Sequence, residues 1–411
     1  MVSDDRAISL SRPFRVLIVG GSYSGLSAAL TLLDLCNGRL ARFNYTADAK
    51  PPNNQIPIHI TLVDERDGFS LASESFASKT WIQFADIPAL QSSNIQLIRG
   101  SVNSVNPREK IAHILDLKSN HAREEQYDFL IAGSGLRRAF PTVPQSLLKE
   151  QFLAEAKAHQ RNIQNAREGV VVVGGGAVGV EVAAELKILE PWQKVTLVHS
   201  RDQLLSAEPL PDDFKERVCA VLREVGVEII LGQRVIATTA STTEGDRQIW
   251  QLTLADQTRV KAGHVINAVS KSVPTTSYLP QEAMDTEGYV PIRSSLQFPE
   301  GIPNADHHFA VGDIATWAAI KRCGGAMHMG YYAANNVHQL ILSESLNVKP
   351  DFLHLADAPP VIGLALGDNA VSYTSADRTQ HGKHLLELMF GDDMGHSICW
   401  NYMRLSEPCK A

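Results

Sequence analysis

The chain has 411 residues, of which 44% are apolar and 20% charged, with a net charge of −7. This length predicts two or three domains, because a single hydrophobic core stops growing well below it. The negative charge and the absence of a dense Lys/Arg block argue against a nucleic-acid partner. No window offers about 18 unbroken apolar residues, so the sequence predicts no transmembrane helix. Residues 1–14 lack a signal core and an acceptor glycine for myristoylation, so we expect a poorly ordered leader and a cytoplasmic protein.

The first glycine-rich turn follows an apolar strand at residues 16–19 and leads into an Ala/Leu-rich helix that reaches about Leu35. It has the sequence Gly20-Gly21-Ser22-Tyr23-Ser24-Gly25. Such a turn directs free N–H groups and the positive end of the helix dipole at one point, which favours a pyrophosphate. Ser22 stands where the second glycine lets a phosphate approach the backbone, so this copy departs from the full motif.

The second strand is predicted at residues 57–63, after a polar surface loop between Cys36 and Ile56. It ends at Asp64-Glu65, and a carboxylate at this point can accept hydrogen bonds from both hydroxyls of a ribose. Asp64 is the first choice for that role and Glu65 is the alternative. The competing interpretation is an exposed acid at a strand end.

Two strand-like segments, at 95–105 and 110–117, are predicted to form a hairpin-like pair. A further apolar strand then breaks at Gly133-Ser134-Gly135. Small residues at this point favour close passage of the backbone past a ligand.

The second glycine-rich turn carries the complete G-x-G-x-x-G pattern at Gly174, Gly176 and Gly179. A Val run precedes it, a helix follows, and a strand at 194–198 comes next, so the βαβ context indicates a second dinucleotide site. The residue after that strand is His199 rather than an acid, which removes a charge that would repel a ribose 2′-phosphate, and Arg201 can pair with that phosphate. We therefore expect NADPH to be tolerated and leave open a preference for it over NADH, with a simply solvated Arg201 as the alternative.

A third signal is FAVGDIAT at 309–316, a short strand that reaches Gly312-Asp313 and is predicted to continue into a small-residue helix. An Asp at this place can reach the ribityl or phosphate end of a flavin. The C-terminal part has strand-like segments at 364–366 and 370–373 and an apolar helix at 385–390, most simply interpreted as core.

The five cysteines are scattered, odd in number and without a CxxC pair. This pattern fits a reducing compartment and argues against a dithiol relay built on closely spaced cysteines. Cys323 facing a flavin, and Cys399 with Cys409 as a shuttle, are the alternatives to simple packing.

Taken together, these segments resemble the two-dinucleotide-binding-domain flavoproteins of the pyridine nucleotide-disulfide oxidoreductase superfamily. The turn at 20–25 resembles the FAD phosphate turn, 133–135 the family's ATG segment, 174–179 the NAD(P)H turn and 311–313 the distal FAD motif. Within the superfamily the chain is most similar to apoptosis-inducing-factor-like and ferroptosis-suppressor-like NAD(P)H:quinone oxidoreductases, through VDERDGF, FASKT, VTLVHSRDQLL and His328 ahead of Ala334-Asn335. Ser22, Ser270 and the missing CxxxxC or CxxC pair depart from the superfamily pattern.

The resemblance implies an α/β fold with two Rossmann-like domains, the NAD(P)H domain inserted in the FAD domain, and a C-terminal α+β part. The expected boundaries are 1–145 and 273–347 for the FAD domain, 146–272 for the NAD(P)H domain and 348–411 for the C-terminal interface domain. The implied cofactors are FAD and NADPH or NADH, and the acceptor is a small, quinone-like molecule. A flavin-dependent tailoring oxidoreductase and a redox-sensing signalling flavoprotein are the alternatives. We expect a monomer or homodimer, with peripheral membrane attachment or a mitochondrial location as alternatives to the cytoplasm.

The candidate catalytic groups are cations or a histidine near the flavin ring, and no metal is expected. They are Lys79, Lys321 and His328. Glu181 is implied to orient the nicotinamide, with a helix-start acid as the alternative. The cofactor-binding candidates are Gly20, Gly21, Ser22, Tyr23, Ser24, Gly25, Asp64, Glu65, Lys79, Val102, Gly133, Ser134, Gly135, Gly174, Gly176, Gly179, Glu181, His199, Arg201, Gly312 and Asp313.

Overall fold

A computed structural model describes residues 12–43, 51–52, 54–70, 80–140, 142–244, 247–269, 271–317, 320–357 and 359–408. Most of the predicted leader and three individually named residues, Lys79, Ser270 and Cys409, lie outside these ranges.

The described residues of the first half of the chain form eleven strands and three α-helices. In chain order the elements are β1 (Phe14–Val19), α1 (Tyr23–Cys36), β2 (Ile58–Asp64), β3 (Gly68–Ser70), β4 (Trp81–Gln83), β5 (Ile95–Asn106), β6 (Ile111–Asp116), β7 (His121–Gln126), β8 (Phe129–Ala132), β9 (Leu136–Arg137), α2 (Lys149–Gln164), β10 (Val170–Val173), α3 (Ala177–Leu189) and β11 (Val195–Val198).

The second half completes the inserted domain and returns to the first. Its elements are α4 (Asp212–Glu224), β12 (Glu228–Ile230), β13 (Val235–Glu244), β14 (Arg247–Leu254), β15 (Arg259–Ala262), β16 (His264–Asn267), β17 (Val273–Pro274), β18 (Val290–Pro291), β19 (His308–Ala310), β20 (Ala315–Thr316), α5 (Cys323–Leu346), β21 (Ile362–Leu366), β22 (Asn369–Thr374), β23 (Arg378–Gly382), α6 (Lys383–Met389) and α7 (His396–Tyr402).

The larger sheet has the strand order β19-β8-β1-β2-β5-β6-β7. Its first five strands run parallel, and β6 and β7 add an antiparallel extension. The apolar run Val16–Val19 is buried because β1 lies in the middle of this sheet with neighbours on both sides. This position sends the first glycine turn to the carboxyl edge of the sheet, where open α/β sheets bind ligands.

The smaller parallel sheet repeats the arrangement with the order β12-β11-β10-β16, and the antiparallel sheet β13-β14-β15 packs against it. The two connections between the domains lie side by side, since β9 pairs with β17. The Thr275 hydroxyl donates to the carbonyls of Ser134 and Gly135 at this crossing, at 2.7 and 2.8 Å. The expected fold class, with one Rossmann-like domain inserted in another, is confirmed, while the boundaries between domains stay a prediction.

Helices α1 and α5 pack closely because small residues face each other. A Cβ built on Gly330 would lie 2.2 Å from the carbonyl oxygen of Ser24. Ser27 Oγ donates to the Met327 carbonyl at 2.7 Å. The start of the turn helix is therefore held against a second helix as well as against its own sheet.

The C-terminal part contacts both domains. Side chains of β21 and β22, including Leu364 and Val371, belong to the core of the inserted domain. Helix α7 lies instead on the first domain, where Tyr402 meets Phe43 at 5.4 Å between ring centroids and the Ala89 N–H donates to the Leu405 carbonyl at 3.1 Å.

Three elements differ from the sequence-based expectations. Strand β7 and helix α2 had no predicted counterpart, because β7 is mostly exposed and α2 buries only four side chains: Phe152, Ala156, His159 and Ile163. The helix expected directly after Asp313 begins only at Cys323. Gly312–Ile314 form a short 3₁₀ turn, and β20 follows directly and pairs with β18.

Candidate functional site

A single cavity of about 960 Å³ connects the two domains and the C-terminal part. Its walls include the first glycine turn, the breaking point after β8, one face of α3 and the segment between α6 and α7. The site candidates that line it are Gly20, Ser22, Tyr23, Asp64, Gly133, Ser134, Gly135, Glu181 and Asp313.

The first turn is a compact backbone structure in which two glycines are sterically required. Gly20 has φ +102°, and a Cβ there would lie 2.3 Å from the Gly133 carbonyl oxygen. A Cβ on Gly25 would lie 1.8 Å from the carbonyl oxygen of Gly20. Ser22, by contrast, has an ordinary extended backbone with φ −92°, so a side chain is tolerated at the middle position.

Asp64 and Glu65 have different partners, although they are adjacent in sequence. Asp64 lines the cavity and accepts the N–H groups of Gly21 at 2.7 Å and Arg66 at 2.8 Å. Burial raises the pKa of Asp64, against the effect of these hydrogen bonds. Glu65 instead accepts from Ser101 Oγ and pairs with Arg137. The geometry therefore favours Asp64 as the ribose-binding candidate.

The segment 133–135 and the 3₁₀ turn that carries Asp313 are held against the first turn. A Cβ on Gly133, or on Gly312 with its φ of +69°, would lie 2.9 Å from Ser24 Oγ. Ser134 Oγ donates to the Thr275 carbonyl at 2.8 Å, which fixes the domain crossing beside the cavity. Asp313 reaches the cavity wall from this turn.

The second turn repeats the geometry of the first. Gly174 has φ +114°, and a Cβ on Gly179 would lie 1.8 Å from the Gly174 carbonyl oxygen. Gly176 has φ −79°, and a Cβ there meets nothing within 4 Å. The free space beside Gly176 is what close approach of a phosphate needs.

His199 occupies in the second domain the place that Asp64 has in the first. Its Nδ1 accepts the Gly175 N–H at 3.1 Å, as the Asp64 carboxylate accepts the Gly21 N–H. Because Nδ1 is the acceptor, Nε2 carries the proton and donates to Ser206 Oγ at 3.1 Å. Burial lowers the pKa of His199, so the imidazole is neutral at pH 7. Arg201 is exposed two residues further on.

Glu181 lies on α3 at the cavity wall, and its Oε1 accepts the Ala365 N–H at 3.0 Å. Burial is the main cause that raises the pKa of Glu181 to about 7, and nearby Glu185 and Cys323 add to it. Its carboxyl group is consequently able to hold or release a proton at neutral pH.

Of the predicted catalytic groups, the two that the structure describes, Lys321 and His328, do not line the cavity. Lys79 lies outside the described residues. Lys321 Nζ donates to the carbonyls of Asp313 at 2.7 Å and Ala315 at 2.9 Å, and it lies 4.9 Å from the Tyr289 ring centroid. His328 is in the second turn of α5, 4.2 Å from the Tyr332 ring. Val102, on β5, packs against the core of the first domain. Direct roles for these residues stay predictions, and Lys321 has the geometry of a positioning residue.

Two cysteines meet at the cavity, which the spacing in the sequence did not indicate. Cys323 begins α5 and Cys399 lies on α7, and both line the wall. Interaction with the Cys399 side chain is the largest of the effects that lower the pKa of Cys323 to about 7. The expectation against a dithiol relay built on closely spaced cysteines stays a prediction, because Cys323 and Cys399 are far apart in the sequence.

Several apolar and aromatic side chains line the cavity. Trp81 and Phe152 stack at 5.1 Å between centroids, and Phe140, Met389 and Phe390 line the same space. Such a surface accommodates a flat apolar molecule.

Among the residues that the structure describes, no cluster of three or more His, Cys, Asp or Glu side chains is placed to hold a metal ion. Over the same ranges, no helix combines the length and apolar character needed to cross a bilayer.

Comparisons with known proteins identify the family. The model of the family described as pyridine nucleotide-disulphide oxidoreductase matches residues 14–330. Oxidoreductase OXR1 of Ajellomyces capsulatus is 47% identical, over 100% of this chain and 92% of its own length. Ferroptosis suppressor protein 1 of Xenopus laevis is 28% identical, over 82% of this chain and 84% of its own.

Solved structures share the fold. The NADH-bound, water-forming NADH oxidase of Lactobacillus brevis has a TM-score of 0.62 at 19% identity, covering 88% of this chain and 75% of its own. The ferredoxin reductase for the CYP199A2 system of Rhodopseudomonas palustris also reaches 0.62, at 18% identity, covering 87% and 81%. Given the family match over most of its length, the chain belongs to the pyridine nucleotide-disulphide oxidoreductases and is an NAD(P)H-dependent flavin oxidoreductase.

Proposed function

We propose that this enzyme passes reducing equivalents from NADPH through FAD to a small quinone-like acceptor. The observation that carries the proposal is the single cavity that joins the FAD turn to helix α3 of the second turn. Two dinucleotides bound at these turns would extend their redox-active ends into one enclosed space, as electron transfer between them requires.

The residues at the first turn fit FAD. At Gly20 and Gly25 the backbone comes closer to its neighbours than a Cβ permits, since a Cβ would lie 2.3 Å from the Gly133 carbonyl oxygen and 1.8 Å from the Gly20 carbonyl oxygen, respectively. Asp64 provides a carboxylate for ribose hydroxyls, and the N-terminus of α1 points toward the same cavity. When bound, FAD supplies hydride acceptance from the nicotinamide and onward transfer of electrons to the acceptor.

Two further features would position and stabilise the flavin ring. Helix α5 begins at the cavity wall, so the positive end of its dipole favours negative charge there. The Lys321 ammonium group holds the Asp313 and Ala315 carbonyls, which keeps the Asp313 side chain at the wall. Lys321 in this proposal positions Asp313 and does not contact the ring.

Preference for NADPH rests on His199. A neutral imidazole replaces the carboxylate that would repel a 2′-phosphate, and the exposed Arg201 guanidinium adds a phosphate donor nearby. His199→Asp places a carboxylate at the position that matches Asp64. We expect the ratio of kcat/KM for NADH to kcat/KM for NADPH to rise in this variant. The Arg201→Ala variant should lose NADPH efficiency and keep NADH efficiency. Unchanged cofactor ratios in both variants contradict the proposal.

The acceptor assignment is supported by the aromatic side chains in the cavity lining, together with the resemblance to ferroptosis-suppressor-like enzymes. Glu181, with its pKa near 7, is available to donate one of the two protons that a quinone takes up on reduction to a hydroquinone.

The direct test is a stopped-flow experiment on the purified flavoprotein. NADPH should bleach the flavin absorbance, and a soluble short-chain quinone should restore it faster than oxygen does. A parallel NADH trace provides the cofactor control. If NADPH bleaches the flavin and no quinone reoxidises it faster than oxygen, the acceptor assignment is wrong. A colourless protein that takes up no FAD would remove the whole proposal.

A further inference from the structure

A second cavity, of about 480 Å³, lies in the inserted domain, and its described lining residues all differ from those of the cavity above. It lies at the amino ends of β10, β11 and β12, with β15 as a further wall. The second glycine turn and His199 follow the carboxyl ends of β10 and β11 instead. Six charged side chains among the described residues line this amino-edge cleft: Arg167, Glu168, Lys194, Glu228, Arg259 and Lys261.

The amino-edge cleft is positively charged, although the whole chain has a net charge of −7. Four cations and two carboxylates give the cleft a net charge of +2 (4 − 2). Lys194 pairs with Glu228, at 3.2 Å between Nζ and Oε2. Within the described ranges, no ion pair joins Arg167, Arg259 or Lys261 to a carboxylate. Cations that lack a paired carboxylate repel one another, so this arrangement lowers the stability of the fold until an anion binds.

Backbone hydrogen bonds hold together the segments that carry these charges. The Val170 N–H donates to the Lys194 carbonyl at 2.8 Å, and the Gly263 N–H donates to the Gly169 carbonyl at 2.8 Å. Gly169 has φ +87°, and a Cβ there would lie 2.8 Å from the Lys194 carbonyl oxygen. The turn that contains Arg167 is therefore fixed between the start of β11 and the end of β15.

Strand β15 directs two of the unpaired cations to one side. Its residues Val260 and Ala262 pack in the core between the antiparallel sheet and the parallel sheet. Side chains alternate along a strand, so Arg259 and Lys261 share the other face of β15. Both residues line the amino-edge cleft, and both are exposed. A strand that is paired with β14 thus presents their charges, rather than an irregular loop.

The lining of the cleft also contains a fixed hydrogen-bond acceptor. Thr196 is 3% exposed, and its Oγ1 donates to Glu228 Oε2 at 3.1 Å. Lys194 Nζ contacts the same oxygen. Among the described residues no donor reaches Glu228 Oε1, which can therefore accept a hydrogen bond from a ligand hydroxyl.

We propose that the amino-edge cleft binds a small sugar phosphate, a function separate from the redox reaction. A phosphate monoester carries a charge of about −1.5 to −2 at pH 7, which matches the net charge of the cleft. Arginine presents a fork of N–H donors that suits phosphate oxygens, and Lys261 adds a further cation. Glu228 Oε1 accepts a hydrogen bond from a sugar hydroxyl.

The size and lining of the cleft favour this class over larger or aromatic ligands. Its volume lies within the range of about 300–1,000 Å³ that is typical of small-molecule sites. Its described lining offers no aromatic side chain on which a nucleotide base could stack. Sugar hydroxyls need acceptors rather than a ring surface, and Glu228 supplies one.

Isothermal titration calorimetry on the FAD-loaded enzyme tests the proposal. Saturating NADP⁺ is present throughout, so that phosphate groups cannot bind at the second glycine turn. The probes are glucose 6-phosphate, fructose 6-phosphate and ribose 5-phosphate, with inorganic phosphate and AMP for comparison. At least one sugar phosphate should bind saturably at one site per chain, and roughly tenfold more tightly than inorganic phosphate, because only the sugar reaches Glu228.

Substitutions in the cleft give the second readout. Arg259→Gln should weaken sugar phosphate binding at least roughly tenfold, and Lys261→Gln is an independent second variant. Arg108→Gln is the matched control, because Arg108 is exposed on the first domain and its loss changes the net charge equally. Without ligand, Arg259→Gln should unfold at the wild-type temperature or above, because removal of one cation relieves repulsion. A purely structural arginine would lower that temperature instead.

Three results overturn the proposal: no saturable binding of any sugar phosphate, equal binding by wild type and both cleft variants, or tighter binding of AMP or inorganic phosphate than of every sugar phosphate. If Arg259→Gln does not fold, the binding data on Lys261→Gln decide. None of these measurements requires turnover, so their outcome does not depend on the quinone assignment.

Discussion

Replacing Gly25 with alanine should disable the FAD turn through backbone contact alone. The new Cβ would lie 1.8 Å from the Gly20 carbonyl oxygen, whereas a C···O contact needs roughly 3.3 Å. The start of α1 would have to shift by roughly 1.5 Å to restore that separation. Helix α5 opposes such a shift, since Gly330 already brings its backbone against Ser24.

The expected cost follows from this blocked relaxation. Overpacking of a well-packed site costs about 1–3 kcal/mol, and a backbone contact that cannot relax belongs at the upper end. We therefore expect Gly25→Ala to lower the free energy of unfolding by about 3 kcal/mol and to purify with little flavin. The measurements are flavin absorbance per protein and the thermal unfolding midpoint, read by circular dichroism.

The second turn offers the matched control. Gly176→Ala places a Cβ in open space at φ −79°, so the folded state should tolerate it. The free energy of unfolding should stay the same or rise by about 0.4–1 kcal/mol, because alanine lowers the conformational entropy of the unfolded chain. Its KM for NADPH should rise, because the added methyl group occupies the space beside the phosphate-binding turn. Wild-type flavin content and unfolding temperature in Gly25→Ala would refute the steric reasoning, and so would equal destabilisation by the two substitutions.

Three further predictions concern charge and the first turn. Glu181→Gln should flatten the pH dependence of kcat/KM for the quinone near pH 7 and leave the variant at pH 6 resembling wild type at pH 8, since the amide cannot donate the proton that the protonated acid supplies; a profile parallel to wild type contradicts this. Burial raises the pKa of Asp128, but hydrogen bonds from Arg12 and Arg15 outweigh it and lower the pKa to about 2. This depressed pKa contributes at most about 2 kcal/mol, present above pH 4 and lost as pH falls toward 2, so urea titrations of Asp128→Asn should show lower stability at pH 7 and a weaker loss in acid. Ser22→Gly should keep the fold and retain FAD at least as well as wild type on dialysis, because the Ser22 backbone is already extended; faster flavin loss would show that the hydroxyl contributes to binding.

The sequence by itself determined the two dinucleotide turns, their order and the family. These features are local: a glycine at a fixed spacing between an apolar strand and a helix specifies the backbone path over a few residues. The structure gives the physical reason for that spacing. A Cβ on Gly25 or Gly179 would collide with a carbonyl oxygen, and Gly176 lies beside open space. The insertion of one domain in the other also follows from the order of the motifs along the chain.

Only the tertiary structure decided which neighbouring side chain faces the cavity. Asp64 and Glu65 are equivalent in sequence, but the pleat of β2 and the Arg137 ion pair direct them to different partners. Helix α5 likewise begins later than the sequence predicts, because β20 pairs with β18 before the helix starts. This pairing joins segments that are separate in the chain.

The cysteine pair was beyond sequence reasoning for the same reason. Cys323 and Cys399 line the same cavity because α7 packs on the first domain, through Tyr402 and Leu405, while β21 and β22 pack on the second. No periodicity or motif records this docking, since the contacts that produce it join segments hundreds of residues apart. Local spacing specifies the turns that bind cofactors, and long-range packing decides which reactive groups surround them.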